Sequence, residues 1–148
     1  MERTGIVTFK GGPMTLVGPA LKPGDRAPDF TVAGPGLAPV TLASSKGKTR
    51  LFSVVPSLDT PVCSIQTRKF NAELTKLPAS VQPYTVSCDL PFAQARFCGA
   101  EGIDARMIAL SDHKDVSFGT AYGVPIARTW LNATSRFASW AGGGVWNE

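Results

Sequence analysis

Thr49-Arg50-Leu51-Phe52-Ser53-Val54-Val55-Pro56-Ser57-Leu58-Asp59-Thr60-Pro61-Val62-Cys63 runs from a short apolar segment, through a proline-bounded turn, to a cysteine. Residues 49–55 have the length and composition of a buried strand, and Pro56 closes it. From Pro61 the signals turn helical: a proline at the first turn, then Ile65, Phe70 and Leu74 roughly on one face, with Arg68, Lys69 and Glu73 on others. Cys63 therefore falls in the first helical turn, where unpaired backbone N–H groups and the positive end of the helix dipole favour a thiolate. Full ionisation of a thiol at neutral pH gains only about 30-fold in rate, so faster chemistry needs groups that also stabilise the transition state. The Thr60 hydroxyl, three residues earlier, is placed to be one. A lone helix-start cysteine reads equally well as a small buried apolar residue, so the choice falls to the rest of the chain.

Outward from this stretch the pattern is that of one α/β domain covering residues 1–148. Val7 to Lys10 and Met14 to Val17 alternate around Gly11-Gly12-Pro13, which predicts an N-terminal β-hairpin. A Gly/Pro-rich segment from Gly18 to Pro28 leads to DFTV and to a short strand at Pro39 to Leu42. The central strand, the Cys63 helix and a strand at Pro83 to Cys88 make a β-α-β unit of thioredoxin type. A strand at Met107 to Leu110 precedes a helix from about Asp112 to Tyr122, closed by Gly123.

Composition narrows the function classes. The net charge of +4 is carried by dispersed Lys and Arg, with no basic stripe of the kind that binds nucleic acid. No apolar run approaches a membrane span, and MERTGIVTFK lacks the apolar centre of a signal peptide. A soluble, cytoplasmic protein is expected, and three cysteines there point to redox or metal chemistry more than to a structural disulfide framework. A zinc site built from Cys63, Cys88, Cys98 and His113 has suitable ligand types but lacks any short C-x-x-C pairing. His113 reads as a surface residue near a helix start, and Cys88, ending a strand, as an inert core thiol.

A second cysteine motif settles the choice for Cys63. Ser87-Cys88-Asp89-Leu90-Pro91-Phe92-Ala93-Gln94-Ala95-Arg96-Phe97-Cys98-Gly99-Ala100-Glu101-Gly102 ends a strand and opens a helix. Together with PSLDTPVCS and the RKFN run at Arg68 to Asn71, it resembles the bacterial thiol peroxidase branch of the peroxiredoxins, the atypical two-cysteine kind. The match extends from about Gly5 to about Ile126. The resemblance implies a thioredoxin-like fold of peroxiredoxin type and a thioredoxin-dependent enzyme that reduces hydrogen peroxide and organic hydroperoxides. It implies Cys63 as the peroxidatic cysteine, which becomes a sulfenic acid, and Cys98 as the resolving cysteine, which closes an intramolecular disulfide. Thr60 would hydrogen-bond thiolate and peroxide, and Pro56 would shield the pocket. Thioredoxin as reductant and a homodimer packed near the active site are implied, and no cofactor or metal. A disulfide needs α-carbons within roughly 4.4–6.8 Å, a separation that two cysteines on different helices are not expected to meet. Turnover should then require local unwinding at Cys63, Cys98 or both, eased by Gly99 and Gly102.

Beyond Ile126 the resemblance stops. Residues 127–148, ARTWLNATSRFASWAGGGVWNE, hold all three tryptophans and no alternating apolar run. The C-terminal strand and helix of the family are expected to be missing or altered, which would leave an exposed sheet edge and apolar surface. The family's active-site arginine has its nearest counterparts in Arg136 and, second, Arg128, neither in the expected strand. The first rival reading is a catalytically impaired relative serving as a binding or redox-responsive module. A protein thiol-disulfide oxidoreductase, the second, lacks the C-x-x-C it would need.

Overall fold

A computed structural model describes residues 1–129, 131–139 and 145–147; the side chains of Thr75 and of residues 136–147 lie outside that description. Trp130, Trp140 and the Gly142-Gly143-Gly144 run, noted in the tail, fall outside the described backbone.

The hairpin forms from β1 (Glu2–Phe9) and β2 (Gly12–Val17), with a register shift between Thr4 and Val7. Its tight turn lies at Lys10-Gly11, one step before the expected place, because both residues adopt the positive φ that a two-residue hairpin turn of matching twist requires. Gly12 and Pro13 consequently sit inside β2. The hairpin is tied to the body by Val17 N–H donating to the Pro125 carbonyl (2.9 Å) and Ala127 N–H to the Thr15 carbonyl (2.8 Å). Leu16, Ile126 and Ala133 form a small buried cluster beneath it.

The main sheet comprises β3 (Thr31–Ala33), β4 (Pro39–Thr41), β5 (Thr49–Val54), β6 (Val81–Ser87), β7 (Ile108–Ser111), β8 (Ser135–Ser139) and β9 (Val145–Asn147). Among the described residues the strand order is β4-β3-β7-β6-β5-β8-β9. The β5-β6-β7 centre is parallel, and β3 and β8 flank it antiparallel. Among the described residues three α-helices cover this sheet: α1 (Pro61–Glu73), α2 (Pro91–Ala100) and α3 (Ser117–Tyr122).

Alternation along the central strands sends two chemistries to opposite faces. Phe52, Val54, Tyr84, Val86 and Leu110 pack with Phe30, Phe118 and Tyr122 into the principal core, where Phe118 and Tyr122 stack at 4.2 Å between ring centroids. The opposite face is polar for a buried surface. Ser53 accepts a hydrogen bond from Gln66 of α1 (2.9 Å), and Ser87 accepts one from Gln94 of α2 (2.9 Å). The cysteine-bearing helices thus lie over a hydroxyl-lined sheet face.

Two expectations need correction. The last helix begins at Ser117 rather than Asp112, because Asp112 acts as a remote cap. Its carboxylate accepts from Phe118 N–H (2.9 Å) and Gly119 N–H (2.7 Å), while residues 113–116 loop round through Val116 at φ 49°. The helix ends as expected at Gly123 in the left-handed conformation (φ 68°). The C-terminal strand expected to be missing or altered is present as β8, pairing with β5 from Arg50↔Ser139 to Val54↔Ser135. Unpaired N–H and C=O groups along the edge of β5 demand a partner, and that demand recruits a segment without strand periodicity. The edge of β5 is therefore covered. No helix follows α3 among the described residues. The apolar surface expected there is present on α1, where Val62 is 73% and Ile65 46% exposed.

Candidate active site

The site is assembled where β5 gives way to α1. Thr60 is the helix N-cap, with Pro61 first in the helix and Cys63 third. The Thr60 hydroxyl oxygen accepts the Cys63 backbone N–H (3.3 Å), and its proton goes to the Ser57 carbonyl (3.1 Å). Thr60 and Cys63 are brought together as the sequence predicts, but in this resting geometry the hydroxyl caps the helix and must turn from Ser57 to donate elsewhere. Cys63 is buried, 4% exposed, in a cluster with Val55 and Leu58, and Phe97 of α2 packs against that cluster. Pro56 stands half-buried between the strand and this loop.

Cys98 lies in the last turn of α2 and remains a free thiol, as do Cys63 and Cys88. It lines a cavity of about 270 Å³ with Pro91, Gln94, Ala95, Ile108 and Ala109, whereas its neighbour Phe97 faces the Cys63 cluster. Adjacent helical residues point about 100° apart, so the two cysteines look into different spaces. Burial raises the Cys98 thiol pKa above its ordinary value, which keeps it protonated while the helix is closed. Its turn is held at the end by Glu101 N–H to the Phe97 carbonyl and Ile103 N–H to the Cys98 carbonyl, both 2.9 Å.

Cys88 sits one residue past β6, half-buried rather than in the core. Desolvation, followed by the nearby Asp112 charge and, more weakly, Asp89, pushes its thiol up to about 11 against a lowering hydrogen bond from the Asn132 backbone. Exposed His113 contacts the Ser111 hydroxyl through Nδ1 (2.8 Å). No cluster of three or more ligand-type side chains that could hold a metal occurs among the described residues.

The two arginines separate. Arg128 is exposed, at φ 62°, and lines a cavity with Glu2, Pro13, Met14 and Thr15 beside the hairpin, away from Cys63. Arg136, contrary to expectation, does lie in a strand: β8 sets it in register opposite Ser53 on the strand that leads into the Cys63 loop.

Sequence reasoning missed Asp89. It follows β6 by two residues, and its carboxylate crosses to the Cys63 loop, accepting Ser57 Oγ–H (2.7 Å) and Leu58 N–H (2.8 Å) as well as Ser87 Oγ–H (2.8 Å). The available signal was two serines and an aspartate bordering the two cysteine motifs.

A cysteine capped into the first turn of a helix at the end of a parallel strand, with a second cysteine on the next helix, defines a thiol-based redox protein of thioredoxin-like fold. A sequence model of the family described as Redoxin matches residues 22–141, and the chain belongs to that family. The match runs past Ile126 into the tail. Among its relatives, the chain is 57% identical over 131 residues to the thiol peroxidase of Bacillus subtilis (strain 168), covering 88% of this chain and 77% of that one. It is 54% identical over 139 residues to the thiol peroxidase of Listeria monocytogenes serotype 4b (strain F2365), covering 94% and 83%. The crystal structure of a peroxiredoxin-like protein from Aquifex aeolicus superposes with a TM-score of 0.88 at 39% identity, over 99% of this chain and 85% of that one. The chain is accordingly a thiol-dependent peroxidase with a peroxiredoxin-type fold. No described helix is long and apolar enough to cross a membrane.

Proposed function

We propose that Cys63 and Cys98 work as a dithiol pair that reduces hydrogen peroxide and organic hydroperoxides. The Cys63 thiolate attacks one peroxide oxygen, the O–O bond breaks, and the departing alkoxide or hydroxide takes up a proton as alcohol or water. Cys63 is left as a sulfenic acid. The Cys98 thiol then attacks that sulfur, water leaves, and a disulfide forms. A dithiol reductant restores both thiols by exchange; thioredoxin is the reductant we assign, on the family's pattern.

The observation that carries this reading is the placement of Cys63 third in α1 under the Thr60 cap, with Phe97, the residue before Cys98, packed on its cluster. The Thr60 hydroxyl steadies the thiolate and the peroxide, and Pro56 screens the pocket. Arg136, in register opposite Ser53, is our choice for the arginine that balances the developing charge. We further infer a cytoplasmic homodimer, supported by exposed apolar side chains near the site at Val62, Leu90 and Phe92.

The test is stopped-flow oxidation of the reduced chain by cumene hydroperoxide with mass-spectrometric mapping of the product. Cys63→Ser should abolish oxidation, and Cys98→Ser should consume one equivalent and accumulate a dimedone-trappable sulfenic acid at Cys63. Oxidation that proceeds through Cys88, or that survives in Cys63→Ser, would overturn the assignment.

A further inference from the structure

We propose that Asp89 is the positioning residue that latches the Cys63 loop in its peroxide-reactive form, and that release of this latch accompanies the opening that lets Cys63 and Cys98 meet. The inference rests on the roles proposed above for the two cysteines. Asp89 occupies the joint between β6 and the Cys98 helix, two residues before Pro91 opens α2. Its backbone carbonyl accepts the Ser111 hydroxyl at the end of β7 (2.5 Å), and its Oδ2 accepts Ser87 Oγ–H at the end of β6. The residue is fixed to the sheet on two sides before it reaches the loop.

From that base the carboxylate holds two successive residues of the loop, Ser57 through its hydroxyl and Leu58 through its N–H. Ser57 transmits the restraint. Its hydroxyl oxygen accepts Asp59 N–H (3.2 Å), and its carbonyl accepts both Thr60 N–H (3.2 Å) and the Thr60 hydroxyl. Thr60 in turn caps Cys63 N–H. A continuous path of hydrogen bonds therefore runs from the base of the resolving helix to the backbone of the peroxidatic cysteine.

The other polar tie between the α2 segment and this loop, Arg96 to Asp59 at 3.7 Å, joins side chains that are 76% and 72% exposed. Such a pair contributes little in solvent, whereas bonds to a carboxylate are roughly twice as strong as neutral ones. Asp89 is the dominant polar restraint among the described residues. Asparagine has the same shape but cannot replace it. With its oxygen turned to the Leu58 and Ser87 donors, its NH₂ can only donate to Ser57 Oγ, so the Ser57 proton loses its acceptor and all three bonds lose the carboxylate charge that makes them strong.

Peroxide reduction needs the closed loop, and disulfide formation needs it to open. Loss of the latch should therefore move the two steps in opposite directions, which general destabilisation would not do. In Asp89→Asn, single-mixing oxidation by cumene hydroperoxide should slow about 10-fold, while the first-order loss of the sulfenic acid to disulfide should quicken severalfold. Ser57→Ala, which removes the Oδ1 contact and the Asp59 N–H bond but leaves Leu58 N–H on the carboxylate, should shift both steps in the same senses by smaller factors. Both rates unchanged, or both slowed, in variants that retain the parent circular dichroism would refute the latch. Should Asp89→Asn fail to fold, Ser57→Ala alone decides by the same criterion. Parallel Cys63→Ser and Cys98→Ser reactions separate failure of the latch from failure of the dithiol assignment.

Discussion

Replacing Thr60 by valine keeps the β-branched shape and removes one hydroxyl, so its consequences can be worked out bond by bond. In the reduced protein that hydroxyl accepts Cys63 N–H at 3.3 Å and donates to the Ser57 carbonyl at 3.1 Å. Losing a cap of this kind costs about 1 kcal/mol of folding stability. The effect on rate follows from where the proton must go. A hydrogen bond to a charged group contributes about 1.5–3 kcal/mol, but donation to the reacting centre requires leaving Ser57, which costs about 1 kcal/mol. The net contribution to the transition state is about 0.5–2 kcal/mol, or roughly 2- to 30-fold in rate. This is well below the effect of a donor already aimed at the developing charge. Pseudo-first-order stopped-flow oxidation by cumene hydroperoxide measures the rate, and urea unfolding of the reduced chain measures the cap. Thr60→Ser keeps the hydroxyl and should stay within about 3-fold of the parent. A Thr60→Val protein that reacts within twofold of the parent would show that the hydroxyl never leaves Ser57 during catalysis, and the catalytic role assigned to it would be withdrawn.

Three further outcomes are expected. With its thiol pushed up to about 11 from an ordinary value of 9.0, Cys88 should be about 0.1% ionised at pH 8 instead of about 9%, so iodoacetamide should modify it roughly 90-fold more slowly than an ordinary cysteine. In a Cys63→Ser/Cys98→Ser chain, alkylation read by mass spectrometry should rise steeply only above pH 9; modification already complete in minutes at pH 8 would contradict the shift. The same raised value makes the folded state hold its proton as pH climbs, so this group's contribution to stability is full below about 9 and lost as pH rises through about 11; alkaline unfolding followed by circular dichroism should be delayed in Cys88→Ala. Gly123→Ala should lose at least about 3 kcal/mol in urea unfolding, because φ is 68° and the new Cβ would stand 1.8 Å from the Pro19 carbonyl oxygen; a loss under 1 kcal/mol would mean that this contact between α3 and the hairpin junction is not held in solution.

The elements that sequence reveals here are those whose cause is local. A valine-rich run stopped by Pro56, followed by Pro61 at the first position of a helix, needs nothing distant to specify β5 and α1. Asp112 was legible as a helix-start residue but not as a remote cap, because the turn of chain between it and Phe118 has no periodicity. β8 was illegible for a different reason. Ser135–Ser139 forms a strand because β5 offers an open edge, and that information resides some 80 residues earlier in the chain. Arg136 could only be assigned a place once that pairing was known. Asp89 shows the same limit within the site: it bonds Ser57 and Leu58 across about 30 positions, and the serines and aspartate beside the two cysteine motifs do not say that they meet.

In the proposed dithiol cycle, the different surroundings of Cys63 and Cys98 in the reduced fold are themselves a catalytic arrangement. Phe97 faces the Cys63 cluster while Cys98 faces its own cavity, so in the roles we propose the resolving thiol is misdirected, and kept protonated by burial, until α2 opens. Opening need not break the helix in its middle. Cys98 is in the terminal turn, where the last carbonyls lack helical partners in any case, and two bonds, from Glu101 and Ile103, close that turn. The larger restraint is Phe97, whose ring must leave the Val55, Leu58 and Cys63 side chains. In the proposed cycle, burial of that ring sets how long the sulfenic acid survives before it is resolved, and the proposed Asp89 latch sets how readily the loop beneath it yields. The order of events follows from this geometry: closed for peroxide, then open for the disulfide, with the same short segment of chain restrained from both sides of the site.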